Sequence, residues 1–370
     1  MAGDVWRALT APFAGWRNRL LADPKFQDWA SRSIFTRGQA NAYAGRMLDL
    51  AVGFAYARTL LACVQFDLFE RLRAGSRSTG ELAIACALAP ARMQVLAKAA
   101  TALDLIEPAG PDRWRLAPLG ASLLGNPGVA AMIAHHSLLY EDLRDPAALI
   151  RGEIEAPRVK SFWPYGAGAD PQAAAQYSAL MAATQAMIAR QILAAYPLAR
   201  HRCLIDVGGG EGAFVLHALR AAPKLIATVA DLAPVAVRAL DAFKAAGLAA
   251  RADAVAVTAP GDRLPPGADL HSFVRVLHDH DDPAVMRFLA ASQAALAPGG
   301  RILIAEPMAK TPGARAMGHA YFGLYLLAMG QGRPRTRVEL TQMLRGAGFK
   351  AVREHRAPQR ALVRLLSAQK

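Results

Sequence analysis

Cysteine is nearly absent. Three in 370 residues, Cys63, Cys86 and Cys203, odd in number and far apart, exclude a disulfide framework and a Cys-rich zinc site. Charged residues are sparse at 19% and acids sparser still, 29 against 43 lysines and arginines. A disordered or charge-rich coil is therefore excluded for the bulk of the chain. No uninterrupted apolar run reaches the ~18 residues of a spanning helix, because runs such as Leu82 to Ala91 meet Pro or charge within about ten. Trp6, Arg7, Arg17, Arg19 and Asp23 stand where a cleaved signal would need an apolar core. These absences predict a cytoplasmic chain that is not integral to the membrane.

What is present is a hydrophobic majority, 54%, with a net charge of +14. The length suggests two or three domains. The positive balance favours nucleic acid, an anionic membrane surface or an acidic ligand. Trp6, Leu9, Phe13, Trp16 and Leu20 recur at steps of three and four among arginines, the pattern of an amphipathic helix suited to a headgroup interface, a protein face or a dimer mate. Residues 1–44 are read as this helical extension. A second apolar segment, Gly45 to Phe69, predicts a buried helix central to the N-terminal half.

Residues 78–118 predict a winged helix. Ser78 and Thr79 offer a cap with Glu81, two helices flank Ala89-Pro90, and Leu105-Ile106-Glu107 and Trp114-Arg115-Leu116 bracket the turn Gly110-Pro111-Asp112. A DNA reader is one reading of this motif. The second helix, however, offers only Arg92 and Lys98 as charges, too few for phosphate and base contacts. Residues 119–200 read as helical, with breaks at Gly125-Asn126-Pro127, Asp145-Pro146 and 163–168. From Arg202 onward short β-branched runs alternate with Ala/Leu helices, which predicts an α/β doubly wound, mostly parallel sheet. The expected domains are thus 45–200, all-helical with its wing, and 201–370, Rossmann-like.

The chemistry is concentrated in the second half. The run Cys203 to Val207 leads into Gly208-Gly209-Gly210-Glu211-Gly212-Ala213 and a helix, and Asp231 closes the next strand. As a dinucleotide fingerprint this is satisfied by Gly208, Gly210 and Ala213 with Asp231 as ribose acid. Glu211 at the helix entrance and Asp206 at the strand end would oppose a diphosphate. A cationic donor carrying an ammonium and a sulfonium suits them better, and S-adenosylmethionine is such a ligand. Gly261 and Asp262, after the third strand, are candidates near its adenine, or an ordinary turn.

The series Asp206-Val207-Gly208-Gly209-Gly210-Glu211-Gly212, Val229-Ala230-Asp231-Leu232, Arg275 through Asp282, and Pro298 through Glu306 resembles the plant-type small-molecule O-methyltransferases. The likeness runs from about residue 45 to the C-terminus. Within that family the chain is most similar to the bacterial branch that methylates the tertiary 1-hydroxyl of acyclic carotenoids, on Asp23 through Trp29, Leu61-Ala62-Cys63-Val64, Gly125 through Gly128 and His135 through Tyr140. The resemblance implies a homodimer whose winged-helix half serves dimerisation and substrate enclosure and binds no nucleic acid. It implies S-adenosylmethionine held by Asp206, Gly208, Gly210, Asp231, Leu232, Gly261, Asp262 and Arg275, with no metal. It implies a catalytic set of His278 as general base, Glu306 orienting it, and Asp279. A hydroxyl is a poor nucleophile unless its proton leaves as the new bond forms, so a neutral imidazole suits the reaction. Plant members carry a further glutamate before the Arg-Thr pair, where this chain has Pro334. Candidate walls for a hydrophobic acceptor are Tyr177, Met181, Met187, Met317, Tyr321 and Tyr325. Other pigments, tetrapyrroles, phenols or polyketides, remain open as acceptors. So does peripheral contact with the inner membrane through the N-terminal helix.

Overall fold

The computed structural model describes residues 13–162 and 171–370, and side chains within 171–183 only at Leu180. The chain divides into two compact units, Met1–Ala121 and Ser122–Lys370. The change of pattern at 200 is thus a change of secondary structure within the second unit. The helix Pro171–Ala195 sends Ile188, Ala189 and Ile192 into one of the sheet's two hydrophobic cores.

In the first unit, residues 13–22 and Pro24–Arg32 are helical, and Asp23 caps the second helix by accepting from the Lys25 amide. Trp6 and Leu9 lie outside the described residues. The wing is a small antiparallel sheet of β1 (Arg77–Ser78), β2 (Ile106–Pro108) and β3 (Arg113–Leu116) in the order β1-β3-β2. Its helices are Thr79–Ala85 and Pro90–Ala102, the first opened by a Ser78/Glu81 capping box. One expectation fails in the helix Arg37–Gln65. Only Leu61 and Cys63 of it are buried, so it is no central core helix. It is also long and apolar enough to cross a membrane by length and composition, with a mean hydropathy of 1.5 over its most apolar 18 residues, 11% of them buried. Arg46, Asp49 and Arg58 interrupt any continuous run, and for that reason a search for unbroken apolar stretches misses it.

The second unit is built on a seven-stranded sheet. Its strands are β4 (Cys203–Val207), β5 (Ile226–Asp231), β6 (Ala252–Ala256), β7 (Leu270–Val274), β8 (Arg301–Glu306), β9 (Lys350–His355) and β10 (Arg364–Gln369). The order is β6-β5-β4-β7-β8-β10-β9, parallel from β6 to β8 with β10 antiparallel to both neighbours. Alternation along the strands loads both faces: Leu204, Leu303 and Ala305 join one core, and Ile205, Ile302 and Ile304 the other. The strand order reverses between β4 and β7, and their carboxyl ends open the crevice where doubly wound sheets hold ligands.

Gly212 closes the turn after β4 at φ +79°, and a Cβ there would stand 2.3 Å from the fully buried Phe243 ring. Strain and collision act together. Gly212→Ala is expected to cost about 2 kcal/mol or more and lower the thermal midpoint by several degrees, at roughly 2–4 °C per kcal/mol for a domain of this size. An unchanged melting curve would contradict this packing.

Candidate active site

The crevice is a cavity of about 310 Å³, at the small end for ligand pockets. Four strand-end loops supply its walls. After β4 come Gly208, Gly209, Gly210 and Ala213, and after β5 Asp231, Leu232 and Val235. Val257 to Pro260 follow β6, and Val274 to Val276 with His278, Asp279 and His280 follow β7. Gly208 (φ +68°) must lack a Cβ, which would meet the Val276 methyls at 2.8 Å.

Asp231 Oδ2 accepts from the Gly210 amide at 2.8 Å and Oδ1 from the Leu232 amide at 2.7 Å. A carboxylate has about four acceptor sites, so two remain toward the cavity for a ribose diol. Leu232, Val235, Val257 and Phe288 add apolar surface. Glycine backbone at a helix entrance, a diol-accepting carboxylate and an apolar lining fit an adenosyl ligand.

The histidine site lies in the same cavity. Residues Leu277–Asp279 form a tight 3₁₀ turn after β7, in which His278 and Asp279 are buried. Glu306, at the end of β8, accepts from the Val276 amide at 3.0 Å and the Leu277 amide at 2.8 Å through Oε1, while its Oε2 bonds His278 Nδ1. Asp279 Oδ1 stands 3.1 Å from His278 Nε2. Burial alone would lower the His278 pKa. The negative charges of Asp279 and Glu306 outweigh it, and the imidazole is raised above its ordinary value. Burial pushes Asp279 up to about 6.

The turn is clamped from below. Arg335, itself buried, donates to the Leu277 carbonyl at 2.6 Å, to the His280 carbonyl at 2.7 Å and to Asp282. The Arg333 amide donates to the His278 carbonyl at 2.9 Å. Gly332 (φ +83°) lets this strap pass, since a Cβ would lie 2.3 Å from that same carbonyl oxygen. Beside Pro334 a buried guanidinium thus grips the backbone of the turn.

Among the expected cofactor residues, Gly208, Gly210, Asp231, Leu232 and Arg275 line the cavity; Asp206, Gly261 and Asp262 do not. Asp206 is 1% exposed beneath the glycine turn, with Oδ1 accepting from Ser272 and Oδ2 unpartnered. Burial raises it to about 7. It packs against Gly209 from below and does not line the cavity. Asp262 Oδ2 accepts from the Thr258 amide and hydroxyl and the Ala259 amide, a turn aspartate that shapes the loop delivering Thr258 to Pro260. Glu211 pairs with Arg238 at 2.7 Å, which offsets the repulsion expected toward a diphosphate.

Of the proposed acceptor walls, Tyr177 and Met181 have side chains outside the described residues. Met187, Met317, Tyr321 and Tyr325 do not line the cavity. Tyr325 is packed in a core with Leu139, Leu149, Val159 and Leu326, the usual fate of an aromatic at helical spacing. Sequence reasoning missed Thr258, Phe288, Gln185, Gln331 and Arg335; only Arg335 carried a signal, inside the Arg-Thr pair. Among the described residues no group of three His, Cys, Asp or Glu side chains could hold a metal.

Comparison with known proteins agrees with this construction. A family model described as an O-methyltransferase domain matches residues 140–350. The chain is 37% identical over 339 residues to a demethylspheroidene O-methyltransferase of Cereibacter sphaeroides, covering 90% of this chain and 89% of that one. It is also 37% identical over 328 residues to the enzyme of the same name from Rhodobacter capsulatus, 88% and 81% covered. Among solved structures, the mitomycin 7-O-methyltransferase MmcR superposes with a TM-score of 0.72 at 25% identity, over 90% of this chain and 99% of that one. The pyocyanin biosynthetic protein PhzM shares the fold at TM-score 0.75, 22% identity and 89% and 99% coverage. With its cavity, its strand order and these relatives, the chain belongs to the S-adenosylmethionine-dependent O-methyltransferase family.

Proposed function

We propose that the chain methylates the tertiary 1-hydroxyl of an acyclic carotenoid, with His278 as general base. The observation that carries the base is geometric. His278 lines the cavity, and its Nδ1 is committed to Glu306. Glu306 already accepts two backbone amides, so Nδ1 is read as its donor and Nε2, beside Asp279, as the nitrogen left to take the acceptor proton. The acceptor class comes from the two relatives at 37% identity, both demethylspheroidene O-methyltransferases.

When bound, S-adenosylmethionine supplies a methyl carbon made electrophilic by its sulfonium. Asp231 would hold its ribose, the Gly208–Gly210 backbone its amino-acid end, and Thr258 to Pro260 its base. His278 Nε2 takes the hydroxyl proton as the new C–O bond forms, and the resulting imidazolium lies between Glu306 and Asp279, whose charges favour it. Arg335 and Gly332 keep the turn that carries the base rigid.

The exposed face of Arg37–Gln65, with Met47, Leu50 and Phe54 each more than 60% exposed, is assigned to a second copy of this chain. The preceding segment, where Phe13, Trp16, Trp29 and Phe35 are exposed among Arg17, Arg19 and Lys25, is assigned to an anionic bilayer on the cytoplasmic side, where a water-insoluble acceptor resides.

His278→Ala should abolish turnover while leaving S-adenosylmethionine affinity, measured by calorimetry, within about threefold. In the intact enzyme kcat/KM should rise with pH through a pKa above the ordinary His value of about 6.5, because the base must be neutral and its pKa is raised. An active alanine variant would remove His278 from the mechanism. Labelled methyl transfer to hydroxylated carotenoids, phenols and chlorins tests the acceptor, and a preference for phenols or chlorins would overturn it. Leu50→Glu with Phe54→Glu should yield monomers in sedimentation, and Trp16→Ser with Trp29→Ser should abolish pelleting with phosphatidylglycerol vesicles. Unchanged behaviour in either assay rejects that assignment.

A further inference from the structure

A half-buried polar cluster lies outside the cavity and has no part in the chemistry above. On the helix Pro127–Asp142, His135 Nε2 bonds the Tyr325 hydroxyl at 2.7 Å and His136 Nε2 bonds the Tyr321 hydroxyl at 2.8 Å. Both tyrosines belong to the segment after β8, which begins as a π-helix, Met317–Phe322, and continues as the α-helix Gly323–Met329. A π turn holds one residue more than an α turn, is disfavoured in isolation and persists where outside contacts hold it. Phe322 is the last residue of that turn. Its ring meets the His278 imidazole edge-on at 5.7 Å between centroids and touches Tyr321 at 4.9 Å.

We propose that the two His–Tyr hydrogen bonds are pins that hold the π turn in place and so keep Phe322 against the catalytic imidazole, which makes His136 and Tyr321 positioning residues for the base. This rests on the reading of His278 as the base.

The chemistry of the pins suits a fixed strut. Burial pushes His135 down to about 4, aided by His136, and lowers His136 as well. Burial also pushes Tyr321 up to about 12. Burial thus favours the neutral ring and the neutral phenol, and a neutral imidazole and a phenol can share one hydrogen bond with no charge left behind. Two pins on adjacent residues of one helix engage residues four apart on the other, which resists rotation as well as sliding. Relaxation of the π turn to α would rotate one side of the segment against the other by about 100° and carry Phe322 off the imidazole.

A double-mutant cycle reads the pin directly. Tyr321→Phe removes only the hydroxyl, and His136→Phe removes its partner. Assayed with a 1-hydroxylated acyclic carotenoid in detergent micelles, each single variant should lose about fivefold in kcat, with acceptor KM and S-adenosylmethionine affinity within twofold. The double variant should be no worse than either single, and His136→Gln, whose amide oxygen can accept from the phenol, should recover part of the loss. Unchanged kcat, or losses that multiply in the double variant, would overturn the pin; a multiplied loss would mean that Tyr321 touches the acceptor by itself. His278→Ala measured alongside separates the two failures. If that variant is active the base assignment falls, whereas if it is inactive and the pin variants are normal only the pin falls.

Discussion

One carboxylate organises the reactive end of this enzyme. Glu306 stands at the end of β8, and one of its oxygens gathers the backbone amides of Val276 and Leu277 from the loop after β7. Its other oxygen holds His278 Nδ1. Three donors from a neighbouring strand's loop thus converge on a single buried side chain. The interaction closes the turn, selects the tautomer and raises the basicity of the imidazole in one arrangement. An apolar residue at this position would leave two buried amides and one ring nitrogen unpaired, and each such loss is costly in a dry site.

The electrostatics follow from that placement. His278 sits between Glu306 on Nδ1 and Asp279 on Nε2, and the two carboxyl groups favour the cationic form of the ring. Asp279 faces the Nε2 side of the ring. Burial works against the ionisation of Asp279 and raises it to about 6, while the neighbouring imidazole pulls the other way. Arg335, after Pro334, acts on the backbone of the same turn. It binds the Leu277 and His280 carbonyls, holding the turn by its oxygens while Glu306 holds it by its amides.

How much was legible in the sequence depended on whether a residue's role was local. Strand ends could be read: β4 begins and ends where β-branched periodicity and the glycine run say it should. The Ser78/Glu81 cap and the hairpin of the wing could also be read, because their signals lie within a few residues. His278, Glu306, Asp231 and the glycine turn were legible through motif order. That Asp206 and Asp262 do not line the cavity was not legible, because a carboxylate beside a loop looks alike in sequence whether it faces a cavity or bonds the loop itself. Arg335 carried a signal inside the Arg-Thr pair, but its role did not, because its partners lie more than fifty residues away. Tyr325 and Met187 were assigned to a pocket on spacing, and spacing cannot tell a core from a cleft. Arg37–Gln65 failed for a related reason: a helix that shows most of its apolar face has the same composition as one that buries it.

The central claim is that Glu306 sets the state of His278, and the most direct measurement is the titration of that imidazole. With ring-labelled histidine and NMR, the His278 resonance should titrate above the ordinary histidine value in the intact enzyme and move downward in Glu306→Gln, which keeps the shape and removes the charge. A His278 that titrates at or below about 6.5 in the intact enzyme, or one that does not move on substitution of Glu306, would contradict the account.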